Sequence, residues 1–186
     1  MRVICYGDSN TYGYDPRSYL GDRYPADGRW VDLLAEKTGW EIKNDGENGR
    51  EIPRREAELL RVQRMLSACD ADLLIVMLGG NDLLQGNSVD VVVKRMERFL
   101  ERIDLDRAKI LLLAPPPMQR GEWVTEQSLI DASVQLAERY RLLAEKMGIR
   151  FADAGAWKIP MAFDGVHFTE AGNRIFVEEL LKELTK

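Results

Sequence analysis

Two continuous apolar runs constrain this chain more than any other feature. "ADLLIVMLGG" (71–80) and "AKILLLAPPP" (108–117) each hold an unbroken apolar stretch of strand length. Strands of this kind are buried on both faces, the condition of a parallel sheet covered by helices on either side. The rest of the chain alternates to match. "RVICY" is a first strand, ended by Gly7. "RWVDLLAEKTG" reads as a helix with Trp30, Leu33 and Leu34 apolar, Lys37 in its last turn and Gly39 as its stop. "WEIKNDG" is a second, more polar strand, expected near a sheet edge. Pro53 suits the first turn of a helix running to about Cys69. Ser88 is placed to cap a helix through about Ile103. A further helix covers roughly Glu126 to Met147 and stops at Gly148. "IRFADA" is a fifth strand, and Thr169 caps a last helix ending near Leu184. Strands separated by helices of this length predict βαβ units and a mostly parallel sheet. No repeat, low-complexity tract or linker interrupts the pattern, so 1–186 is read as one domain.

Composition narrows the function. A net charge of -5 and a pI near 5.1 leave no strongly basic face for nucleic acid. Cys5 and Cys69 do not make a disulfide framework. No apolar run approaches the roughly 20 residues that span a bilayer. The N-terminus "MRVICYGDSN" passes from a short apolar run into polar turn residues and leaves no room for a signal peptide, so the expectation is a cytoplasmic protein or one whose leader has been removed. Oligomeric state is not readable from this pattern.

In open α/β sheets, sites form beyond the carboxyl ends of the strands. "GDSNTYG" follows the first strand, "NDGENGR" the second, "LGGND" ends the third, and "DGVH" follows the fifth. Four polar, glycine-bearing segments therefore converge on one sheet edge. His167 is the only histidine in the chain, and Asp164 stands three residues before it. Acyl transfer needs a nucleophile, a base, a group that orients the base, and donors for an oxyanion. Ser9, in a glycine-flanked turn, can supply the nucleophile. His167 can take its proton through Nε2, and Asp164 can hold Nδ1–H. The Asn81 amide, a backbone N–H at Gly49 and the Ser9 N–H are candidate oxyanion donors. Each residue also has a plainer use. Ser9 can be a turn residue, Asp8 a helix cap, Asn81–Asp82 a turn, and His167 a hydrogen-bonded residue at a helix start. Gly46 and Gly49 can serve positive φ alone. Four such coincidences on one edge favour the chemical reading. Cys5, inside the first strand, is read as core.

These blocks, "GDSNTYG", "GENGRE", "GGND" and "DGVH", resemble in content and order the four blocks of the SGNH (GDSL-type) esterase and lipase superfamily. They span the chain from Gly7 to His167. The resemblance implies a flavodoxin-like three-layer α/β/α sandwich with a five-stranded parallel sheet. It implies Ser9 as nucleophile, Asp164 and His167 as the rest of a triad, and Ser9, Gly49 and Asn81 as the oxyanion hole. The first block reads GDSN where GDSL is usual, so Asn10 is expected to alter the pocket. "RW" after a long first loop and "PPPM" after the fourth strand are similar to the small bacterial arylesterase branch. Trp123, in the loop after "PPPM", is placed near substrate. The expected activity is hydrolysis of a small-molecule carboxylic ester, short acyl or aryl, with no cofactor and no metal. Two rivals stand beside it. A metal-dependent phosphohydrolase needs several imidazoles, and this chain has one. The other is a non-catalytic flavodoxin-like binding module, either one carrying a nucleotide, for which neither G-x-G-x-x-G nor a P-loop occurs here, or a hydrolase relative that has lost catalysis, which the full set of triad residues disfavours.

Overall fold

Five parallel strands make one sheet in the computed structural model of the chain, which describes residues 1–18 and 20–185. They are β1 (Arg2–Gly7), β2 (Glu41–Gly46), β3 (Leu73–Met77), β4 (Ile110–Ala114) and β5 (Arg150–Asp153), in the order β2-β1-β3-β4-β5. That is the flavodoxin-like order, with its reversal between β1 and β3. β3 and β4 are buried at every position, as their apolar runs require. β2 alternates exposed and partly buried residues and lies at an edge.

The strand pleat divides the core. Val3, Cys5, Leu73, Ile75, Leu111 and Leu113 face one side, packed against Trp30, Leu34, Phe176 and Leu180. The latter belong to α2 (Trp30–Thr38) and α7 (Glu170–Leu184). Ile4, Tyr6, Leu74, Val76 and Leu112 face the other side, against Val62, Met96, Phe99 and Tyr140. Those come from α3 (Glu56–Cys69), α5 (Val89–Glu101) and α6 (Gln127–Met147). The result is three layers, α/β/α. Each fully buried large apolar side chain contributes about 1.5–3 kcal/mol of transfer free energy. Among the described residues no helix is long and apolar enough to cross a membrane.

Several local expectations shift. Pro53 does not open α3. The Ile52 amide donates to Asp82 Oδ2 at 2.9 Å, which keeps this segment extended and buried. The helix starts three residues later, where Glu58 accepts the Arg54 and Arg55 amides. Ser88 occupies the N-cap position of α5 but its hydroxyl makes no capping bond, and the helix ends at Glu101 rather than Ile103. Thr169 caps α7 through Oγ1, which accepts from the Gly172 amide at 2.9 Å. Two short helices were not expected: α1 (Ser9–Tyr12), and α4 (Gly80–Leu84), which carries Asn81. Asp8 caps α1, accepting the Asn10 amide at 3.0 Å.

The two glycines read as positive-φ positions separate. Gly49 has φ 72° with open space around a built Cβ. Gly46 does not have positive φ; a Cβ there would overlap the Tyr12 amide, because β2 ends hard against α1. Gly49→Ala is expected to cost about 1 kcal/mol of backbone strain. Gly46→Ala is expected to cost several times that, since backbone must move. Urea unfolding of both variants measures the difference.

Candidate active site

The site stands at the β1/β3 switch point, where the order of the sheet reverses. Ser9 opens α1 two residues past β1, and Asn81 sits in α4 just past β3. Asp164 and His167 lie between β5 and α7. The turn carrying Ser9 is held to the core by Trp30, whose Nε1 donates to the Asn10 carbonyl at 2.9 Å.

Three side chains form a hydrogen-bonded chain. Ser9 Oγ is 2.8 Å from His167 Nε2, and His167 Nδ1 is 2.7 Å from Asp164 Oδ2. All three residues are buried. Burial alone would raise the Asp164 carboxyl. The His167 ring and the amides of His167 and Val166, which donate to Asp164 Oδ1 at 2.9 and 2.8 Å, outweigh it and hold this carboxyl below its usual range. An ionised carboxylate only accepts, so Nδ1 carries the proton and Nε2 is left to accept from the Ser9 hydroxyl.

Gly49, Asn81 and Ser9 border one cleft, together with Asn48. Asn81 Nδ2 donates to the Arg50 carbonyl at 3.1 Å, which orients the amide and leaves its second N–H for the cleft. Trp123 and Tyr14 wall the same cleft. Their rings stand 5.1 and 4.7 Å from the His167 ring. On the other side of Ser9 a small recess is bounded by Pro115, Met118, Leu136 and Val166. Asn10 borders that recess, but its amide is turned to the His167 segment. Nδ2 donates to the Val166 carbonyl at 3.0 Å, and Oδ1 accepts the Phe168 amide at 2.9 Å.

Sequence reasoning passed over the residues that brace the site. Arg50, within "GENGRE", donates to the carbonyls of Gly7 and Asp45 and pairs with Glu47 at 2.7 Å. Its guanidinium lies 4.3 Å from the Tyr6 ring centre. It fastens the Gly49 loop to the ends of β1 and β2. Asp82, read as a turn residue, is fully buried and joins the Ile52 amide to Arg95 Nη1 at 2.7 Å. An arginine near the end of a polar block and an acid after "GGN" carry no sequence signal for the bonds they make to Gly7, Ile52 and Arg95. Among the described residues, no group of three or more His, Cys, Asp and Glu side chains is placed to hold a metal.

A serine, an imidazole and a carboxylate thus stand in hydrogen-bonded sequence at the switch point of an α/β/α sandwich. The sequence profile of the GDSL-like lipase/acylhydrolase family matches residues 5–175. The chain belongs to that family and is a carboxylic ester hydrolase. Among solved structures it is similar to an inferred arylesterase from Agrobacterium tumefaciens str. C58, with 28% identity and a TM-score of 0.85 over 99% of this chain and 98% of that one. It is similar as well to the aryl esterase of M. smegmatis, at 26% identity and a TM-score of 0.84 over 99% and 98% of the two chains. Est24, a carbohydrate acetylesterase from Sinorhizobium meliloti, shares the fold at 22% identity, with a TM-score of 0.81 over 99% and 98% of the two chains. No curated protein sequence matches the chain significantly.

Asp8 is the second buried carboxyl beside Ser9, and burial pushes it up to about 6, against the Asn10 amide and the charges of His167 and Arg50. A carboxyl raised above its unfolded value is penalised only when ionised. The penalty is therefore absent below about pH 4, grows through pH 6 and stays constant above, reaching about 3 kcal/mol at most. Asp8→Asn keeps an acceptor for the cap and removes the charge. Its stability relative to wild type is expected to rise between pH 4 and 7. Paired denaturant titrations across that range check this, and parallel curves would refute it.

Proposed function

We propose that the chain hydrolyses small carboxylic esters through an acyl-enzyme on Ser9. The observation that carries this reading is the Ser9–His167–Asp164 hydrogen-bonded chain beside a cleft bordered by Gly49 and Asn81. In the first step the Ser9 oxygen bonds to the ester carbonyl carbon while His167 Nε2 takes the hydroxyl proton. Asp164 stabilises the imidazolium that forms and keeps its orientation. The carbonyl oxygen gains negative charge, which the Ser9 and Gly49 N–H groups and the Asn81 amide receive. His167 then gives its proton to the leaving alcohol as the carbon–oxygen bond breaks. Water repeats the sequence and frees the acid.

The recess bounded by Pro115, Met118 and Leu136 would take the acyl group, and its small size favours short chains. Trp123 and Tyr14 would receive the alcohol side. Flat aromatic walls suit an aryl leaving group or the face of an acetylated sugar. The similarity to an aryl esterase at 26% identity supports the first of these.

Ser9→Ala is expected to lose about 10⁴-fold or more in kcat with the fold retained. Near wild-type turnover of p-nitrophenyl acetate by the folded variant would sink the mechanism. Turnover is expected to fall as the acyl chain of a p-nitrophenyl ester lengthens, and to survive exhaustive chelation. Asn81→Ala is expected to lower kcat by about 10²- to 10³-fold, roughly 3–4 kcal/mol, with little change in KM. Were Asn81 only a structural residue of α4, the variant would lose thermal stability while its folded fraction kept kcat.

A further inference from the structure

Asn10 stands where the GDSL pattern has leucine, and its amide is occupied by protein rather than open to substrate. Nδ2 donates to the Val166 carbonyl at 3.0 Å and Oδ1 accepts the Phe168 amide at 2.9 Å. Those two main-chain groups flank His167 directly. Asn10 in turn follows Ser9 directly. One planar amide thus joins the neighbour of the serine to both neighbours of the histidine.

The backbone of Asn10 is itself fixed. Its N–H donates to Asp8 Oδ1 at 3.0 Å, and its carbonyl accepts from Trp30 Nε1 at 2.9 Å. Trp30 is fully buried against Phe176. The clamp is therefore anchored in the core at one end and grips the 166–168 segment at the other. Asp164 restrains the ring of His167 and the amides of residues 166 and 167. It belongs to the same segment, so it cannot set the distance from that segment to Ser9. Among the described residues, the hydrogen bonds between the Ser9–Tyr12 turn and residues 164–168 are the Ser9–His167 contact and the two made by the Asn10 amide.

We propose that Asn10 is the positioning residue that sets the spacing and direction of His167 relative to Ser9. This rests on the triad reading above. A leucine side chain can make neither bond. Without them the 163–168 segment keeps its bonds to Tyr24, Ala162 and the 119–123 stretch, but among the described residues only the Ser9–His167 contact then ties it by hydrogen bonding to the Ser9–Tyr12 turn, and the imidazole can shift relative to Ser9. A misplacement of about 1 Å in a reacting pair can cost up to about 10²-fold in rate. Asn10 contacts no reacting atom in this scheme, so substrate affinity should be spared.

The test uses Asn10→Leu in the full chain, with Ser9→Ala as control. His167 is the only histidine, so isotope-labelled histidine gives one imidazole signal by NMR and reports the base alone. Asn10→Leu is expected to lower kcat on p-nitrophenyl acetate by about 10- to 100-fold, with KM changed by less than about threefold. The imidazole signal is expected to broaden or split, as the ring samples more than one position. Asn10→Asp keeps the acceptor for the Phe168 amide and loses the donor for the Val166 carbonyl. It should show the same signature, and it carries the test if the leucine variant does not fold. A folded variant with wild-type kcat and one sharp imidazole signal at the wild-type position overturns the proposal. So does a lowered Tm whose folded fraction keeps wild-type kcat. Turnover persisting in Ser9→Ala would remove the triad reading itself, whereas an inactive Ser9→Ala beside a wild-type Asn10→Leu removes only the clamp.

Discussion

The register of β1 between its two neighbours is the constraint from which the site follows. Gly7, the last residue of that strand, pairs with Gly46 of β2 and with Met77 of β3. Three strands therefore finish level, and the segments bearing Ser9, Gly49 and Asn81 leave the sheet at one height. The register is enforced from both faces. A slip by one residue would turn Val3 and Cys5 toward α3, α5 and α6, and Ile4 and Tyr6 toward α2 and α7. Both cores would have to repack at once. The alignment of the chemical groups is thus inherited from hydrophobic burial, before any polar contact forms among them.

Polar contacts then differentiate groups of one chemical type. Asp8 and Asp164 are both carboxyls, both buried, and both within the same site. Asp164 has three donors directed at its two oxygens, among them the His167 ring, while Asp8 accepts from backbone amides, that of Asn10 first. Desolvation pushes both upward, but only Asp164 has enough donors to reverse it. Dehydration and compensation are set separately for each residue, by loop geometry rather than by depth.

Much of this was legible in the sequence because it depended on local pattern. The all-apolar strands, the polar second strand and the alternation with helices follow from burial and need no tertiary information. The convergence of Ser9, Asn81 and His167 followed from one rule about strand ends. What stayed hidden were bonds whose partners are remote. Pro53 carries a helix-start signal, yet Asp82, some thirty residues on, captures the Ile52 amide and delays α3. Asn10 looked like an altered pocket wall, while its amide is engaged by peptide groups more than 150 residues away. Gly46 suggested a positive φ, and its actual requirement is the approach of another backbone. In each instance a competing long-range partner decided the outcome.

The segment after β4 is stitched to the His167 loop by three main-chain bonds. The amides of Gln119, Glu122 and Trp123 donate to the carbonyls of Gly165, Phe163 and Asp164, at 2.9, 3.1 and 3.1 Å. Side chains add to it: Gln119 Nε2 donates to the Ile159 carbonyl at 3.5 Å, and the Trp123 ring stands edge-on to His167 at 5.1 Å. The three seam bonds use only backbone atoms of residues 119, 122 and 123, so a different side chain at 123 still offers the amide that holds Asp164, while the ring contact with His167 goes with the tryptophan. The lining of the cleft and the seam beneath it are thus built from different atoms of the same few residues, side chain for one and backbone for the other.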